Sequence, residues 1–192
     1  MYDLVLKTYE GMFNNLRNDD TKSPFVSVGE SFEIALAFLA KQYGYKDISG
    51  EAYDLSIDIY AHQSNLFLET KTVLDKLLKN NVRMIIASDN DLKMLKVQML
   101  KHDLAKYFTG YCVSEAIKAY KPTVRFIVSL KKYVSNDPSN YYIVGDMPFD
   151  VECGKRLGIK SVLMDRKNAK LDLSADYVIN DLHELLLIMG LG

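Results

Sequence analysis

The chain has 192 residues, 48% of them hydrophobic and 26% charged, with a formal net charge of −1. Disorder as the general state is excluded, because it needs low hydrophobicity and high net charge. A balance this close to neutral gives no overall electrostatic footprint for nucleic acid.

Membrane and disulfide readings fall next. The longest purely apolar run, Ile34 to Ala40, is far below the roughly 20 residues that span a bilayer. Met1 to Leu4 carry neither the basic flank nor the small-residue cleavage site of a signal peptide. Cys112 and Cys153 form no CxxC pair and are too few for a disulfide framework. A cytoplasmic mixed domain is expected, or a core carrying a modest insertion.

In chain order, the first third reads as helices. Asp3 can cap a helix to about Arg17, with Leu4, Leu6, Tyr9, Met12, Phe13 and Leu16 at helical spacing. Asn18 to Pro24 is a turn cluster that holds Asp19 and Asp20. Ser27 and Glu30 have the spacing of a capping box, and Phe32, Ala35, Leu36, Leu39 and Ala40 form one face of the helix that follows. Gly44 should stop that helix, and a third is expected from Gly50 to Leu66. The aromatics of this region, among them Phe32, Phe38, Tyr43, Tyr45, Tyr53 and Tyr60, are expected mostly in the core by their spacing.

Beyond residue 66 the pattern alternates. Helices are predicted at Lys71–Asn80 (Val73, Leu74, Leu77 and Leu78 inward), Asp91–Lys101, Pro122–Tyr133 with proline in its first turn, Asp150–Leu157 and Leu182–Met189. Between them, Val82–Ala87, Gly110–Val113, Tyr141–Val144, Lys160–Met164 and Tyr177–Ile179 are short apolar runs of the kind that buried parallel strands show. Repeating βα units predict an α/β fold, a doubly wound parallel sheet covered on both faces.

Ligands of such sheets bind at the carboxyl ends of the strands. The polar residues there are Ser88, Asp89, Asn90 and Asp91 after one strand, Lys121 ahead of a helix, and Gly145, Asp146 and Asp150 after another. Each alone also fits a plain role: Ser88 or Asp150 a helix cap, Lys121 a solvated lysine. Together they suit phosphate chemistry. A serine hydroxyl with backbone N–H groups holds phosphoryl oxygens, and a lysine neutralises a transferring group. Two carboxylates four residues apart offer hard oxygens to magnesium.

At these residues the chain resembles the haloacid dehalogenase superfamily, most of whose members are phosphatases. IVGDMPFDVECGKRLGIKSVLM is similar to the family's GDxxxD motif with its following helix and strand, MIIASDND to its Ser/Thr motif, and AYKPTVRFI to its lysine motif. The resemblance implies a Rossmannoid core made of residues 1–8 and 67–192 and an all-helical cap over residues 9–66. It implies phosphate binding by Ser88, Asp89 and Lys121, with Ser88 and Lys121 catalytic, and Mg2+ held by Asp146 and Asp150. It also implies a small phosphorylated substrate. Gly145 would admit close backbone approach, Gly154 would let its helix pack on the sheet, and Gly158 would stop that helix.

One part of the pattern is missing. The family's nucleophilic and acid–base aspartates lie in a DxDGT motif that ends a first strand, and no such motif occurs in residues 1–192. Met1-Tyr2-Asp3 looks like the continuation of that motif, so the natural protein is expected to begin a strand upstream. That strand would lie centrally, between those near Val82–Ala87 and Tyr141–Val144. The chain by itself is then expected to bind phosphate or metal with negligible turnover. Dehalogenase chemistry on the same scaffold needs the same absent nucleophile, and the GDxxxD pair favours the phosphatase. His62, His102 and His183 share no metal spacing, and the two cysteines are expected as small buried hydrophobes.

Overall fold

The structure, a computed structural model, describes Lys7, residues 25–169 and residues 174–192, excluding the side chains of Tyr60 and Ala61. Lys7 is helical; the rest of the predicted Asp3–Arg17 helix and the Asn18–Pro24 turn, with Tyr9, Phe13, Asp19 and Asp20, lie outside the described residues. Among those described, no helix is long and apolar enough to cross a membrane.

Two helices come first, α1 (Val28–Tyr43) and α2 (Ser49–Gln63). The capping box forms as its spacing predicts. The Ser27 hydroxyl accepts the Glu30 N–H at 3.2 Å and the Glu30 carboxylate accepts the Ser27 N–H at 2.7 Å. Gly44 closes α1 in the left-handed region at φ 68°, where a Cβ would strain the backbone. Ala35, Leu39 and Ala40 are buried against α2 with Phe32 and Leu36 half-buried beside them. Three aromatics depart from the expected core. Phe38, Tyr43 and Tyr45 are about half exposed, since Phe38 flanks the buried stripe while Tyr43 and Tyr45 straddle the Gly44 turn and stack on each other at 6.1 Å. Helix α2 stops three residues short of Leu66, where the Lys101 ammonium meets the carbonyls of His62 (3.1 Å) and Ser64 (2.7 Å).

The α/β part follows as α3 (Thr70–Lys79), β1 (Met84–Ser88), α4 (Leu92–Lys101), β2 (Phe108–Val113), α5 (Ser114–Ile117), α6 (Val124–Lys131), β3 (Tyr142–Gly145), α7 (Pro148–Leu157), β4 (Lys160–Met164), β5 (Tyr177–Ile179) and α8 (Leu182–Ile188). Most predicted spans return within two residues, and the departures have local causes. Val82 gives its N–H to Leu77 O and so closes α3 instead of opening β1. Pro122 precedes α6 instead of lying in its first turn, because the Thr123 hydroxyl takes the capping position and accepts the Phe126 N–H. Leu78 is 45% exposed, one position off the Val73–Leu77 stripe. The short α5 was not foreseen.

All strand pairings are parallel, but the sheet comes in two parts: β1 with β2, and β3–β4–β5. Helices cover both faces. Val73 and Leu77 of α3 and Leu185 of α8 pack with Val162 and Ile179 on one side. Phe126 and Leu130 of α6 and Cys153 of α7 pack with Cys112 and Ile143 on the other. Between the two parts runs a slot of about 760 Å³, lined by Ile85 and Ala87 of β1 and Ile143 and Val144 of β3, and apolar above and below. The edges of β1 and β3 that face it have no strand partner among the described residues. Neighbouring strands lie about 4.8 Å apart and an unpaired edge is a template for another strand.

Candidate active site

Ala87 of β1, Val144 of β3 and Asp150 line this slot near the carboxyl ends of the two strands, and the loops that carry Asp89, Lys121 and Asp150 meet beside it. Ser88 closes β1, half-buried, and its hydroxyl accepts the Asn90 N–H at 3.1 Å, which curls the loop that follows. Asp89 has a role that its spacing did not disclose. Its Oδ1 accepts the Ser114 hydroxyl at 2.8 Å and the Lys121 N–H at 2.9 Å, tying the β1 loop to the lysine loop.

Lys121 is 8% exposed, so the solvated-lysine reading fails. Its ammonium lies 2.6 Å from Asp150 Oδ1 and 3.4 Å from Ala87 O, across the end of the slot. Burying a charge is costly unless it is paired and hydrogen-bonded; both conditions are met. Asp150 is buried too, and its second oxygen accepts the Met147 N–H at 3.1 Å, so it caps α7 and pairs with the lysine at once. Gly145 makes this possible, because a Cβ there would lie 2.1 Å from Asp150 Oδ2. Gly154 and Gly158 act as expected, the first against Ile143 and Ser161, the second at φ 68°.

Asp146 is exposed beyond β3. Among the described residues no three His, Cys, Asp or Glu side chains converge, and both Asp150 oxygens are engaged. These residues as arranged therefore do not fit a magnesium ion, which asks for near-octahedral oxygen ligation.

The helical pair meets the core beside the same loops. Sequence spacing makes Asp91 the start of α4; the side chain turns away and caps α1 instead. Its two oxygens accept the N–H groups of Val28 (3.0 Å) and Gly29 (2.8 Å), and Glu115 accepts the Leu92 N–H at 2.7 Å in its place. Asp91 is 1% exposed, and burial pushes its carboxyl above the usual range, against the two N–H bonds that pull it down. The one signal for such a swap is a second acid, Glu115, within reach of the same helix end. Elsewhere, burial pushes the Cys153 thiol up to about 12, and Cys112 is raised by the same cause, as befits inert core cysteines.

A family model described as haloacid dehalogenase-like hydrolase matches residues 5–164. The chain belongs to the haloacid dehalogenase-like hydrolase family. No curated protein matches it. Among solved structures it is similar to YfnB of Bacillus subtilis, described as a HAD-hydrolase bound to magnesium, at 15% identity and a TM-score of 0.80 over 97% of this chain and 80% of that one. It is also similar to an L-2-haloacid dehalogenase of Xanthobacter autotrophicus with chloropropionic acid covalently bound, at 14% identity and a TM-score of 0.71 over 97% and 83%. A HAD phosphatase from Thermococcus onnurineus gives 19% identity and a TM-score of 0.66 over 97% and 88%. At these identities the structures show the family's fold, an α/β core of parallel strands with an all-helical cap.

Proposed function

We propose that this haloacid dehalogenase-like chain handles a small phosphorylated metabolite at the rim of the slot, as the phosphate-binding part of a phosphomonoester phosphatase. The supporting observation is the meeting of three loops there. In this reading Ser88 and the backbone at Asp89 take the phosphoryl oxygens, and Lys121, held between Asp150 and Ala87 O, neutralises their charge. The reaction read here needs a carboxylate nucleophile at the rim. Its attack on phosphorus forms an aspartyl phosphate and releases the alcohol, and water then cleaves the acyl phosphate to return the carboxylate and inorganic phosphate. Magnesium dependence belongs to the proposal only with oxygen ligands beyond Asp146 and Asp150, which alone are too few for a magnesium ion. The relative with chloropropionic acid covalently bound supports covalent chemistry on this fold without deciding the substrate.

A phosphomonoester screen tests this on two proteins: the chain itself, and the chain with an added N-terminal apolar strand ending in an Asp-x-Asp pair. Negligible turnover by the first and magnesium-dependent hydrolysis by the second is the expected result. Robust hydrolysis by the 192-residue chain alone would contradict the absent nucleophile. Phosphate binding without turnover in either protein would favour the second reading, a binding module of the same fold.

A further inference from the structure

Residues 25–29, where the chain enters α1, are gripped by one residue from each of two loops. Asp91 lies three residues beyond Ser88 and holds the first two N–H groups of α1. Tyr120 precedes Lys121; its hydroxyl donates to Val26 O at 2.7 Å and its ring packs on Phe25 at 5.0 Å. Around these contacts Val28 and Ile57 from the helical pair form one buried cluster with Met94 and Tyr120 from the core. The two loops are themselves joined through Asp89, which accepts from Ser114 and from the Lys121 N–H. A hydrogen-bonded path therefore runs from Ser88 and Lys121 to the first turn of α1.

We propose that Asp91 is a positioning residue through which occupancy of the Ser88–Lys121 site by a tetrahedral oxyanion and the seating of α1 are coupled. This rests on the reading of that site as phosphate-binding. The physical reason is the position of Asp91. An oxyanion taken up by the Ser88 loop fixes the backbone of residues 88–91, and that backbone sets where the Asp91 carboxylate lies. A carboxylate held fixed is a better acceptor for the exposed N–H groups and positive end of a helix. Coupling of this kind is reciprocal: the factor by which the anion stabilises the α1 contact is the factor by which the contact tightens the anion.

Two variants cut the contact from opposite sides. Asp91→Asn replaces one accepting oxygen by a donor. Val28→Pro removes one donating N–H at a first-turn position that helices accept from proline. Amide exchange at Gly29, and at Val28 where it is present, is followed by NMR with and without inorganic phosphate, alongside the phosphate Kd. Phosphate should slow exchange at these amides about fivefold in the unaltered chain, and both variants should weaken phosphate about fivefold while Ser88-loop resonances still respond to it. Phosphate that binds at Ser88 and Lys121 yet leaves Gly29 exchange unchanged would overturn the coupling alone, as would variants with unaltered Kd. Absence of any phosphate response at Ser88 and Lys121 would overturn the coupling and the phosphate site together.

Discussion

The molecule has two joints of opposite character. Where the helical pair meets the core, polar groups are paired across the contact: Asp91 takes two N–H groups of α1, Glu115 takes the N–H that Asp91 leaves, and Tyr120 reaches Val26 O. Apolar side chains from both sides close the rest. Where the two parts of the sheet face each other, the slot is apolar, about 760 Å³, and flanked by strand edges without partners among the described residues. Buried backbone groups are nearly always paired in folded proteins. The first joint is closed by paired groups, while the second leaves two strand edges without partners among the described residues. The site lies where they adjoin, with Lys121 on the slot and Asp91 on the helical pair.

The largest effect should come from the ion pair that closes the slot's end. Asp150→Ala removes the carboxylate that lies 2.6 Å from the buried Lys121 ammonium, a loss of about 3–5 kcal/mol. Urea denaturation reads it. Adding Lys121→Met to the same chain should restore most of that loss, since an apolar pair of similar volume is often neutral or better. A single variant within about 1 kcal/mol of the parent would mean that solvent from the slot already screens the pair, and the contrast between an open slot and a closed rim would fail.

The next effect compares the joints directly. At Gly29 a Cβ would lie 1.7 Å from Tyr53 Cδ2, so Gly29→Ala overpacks the closed joint at about 1–3 kcal/mol. One methylene added in the slot, as Val144→Ile, has free volume to enter and should stay within about 0.5 kcal/mol. Thermal denaturation of the two variants measures the difference. Equal losses would show that the slot is as tightly filled as the joint.

How much of this was legible in the sequence follows the range of each interaction. The alternation of helices and strands, the Ser27–Glu30 capping box and the Gly44 and Gly158 stops all follow from neighbours within a few positions, and they read correctly. What the spacing does not disclose depends on distant partners. Asp91 looks like the cap of its own helix until α1 arrives from 62 and 63 residues away. Asp89 looks like an anion-loop residue, yet its carboxylate bridges to Ser114 and Lys121. Asp150 has the spacing of a metal ligand, but the buried lysine has taken one oxygen. Half-exposed Phe38, Tyr43 and Tyr45 have core-like composition without a described surface to cover them.

The smallest effect separates two carboxylates that each accept two hydrogen bonds and shift in opposite directions. Asp176 lies at the surface, and the Ser161 N–H and hydroxyl, each 2.7 Å from its Oδ2, hold it below the usual carboxylate range. Its contribution is present above the ordinary value of 3.8 and is lost as pH falls through the lowered one. Ser161→Ala keeps the N–H and removes the hydroxyl, so it should cost about 0.5–1 kcal/mol near neutrality, and the gap from the parent should narrow in acid. Asp91 has the reverse sign. Its raised value means that the folded chain binds more protons than the unfolded one between 3.8 and that value, so its charged form costs stability above the window and the cost fades as pH drops through it. The stability of Asp91→Asn relative to the parent should therefore fall, not rise, on acidification. Two difference curves from urea midpoints at stepped pH decide it: if both slope the same way, burial is not what distinguishes the closed joint from the surface.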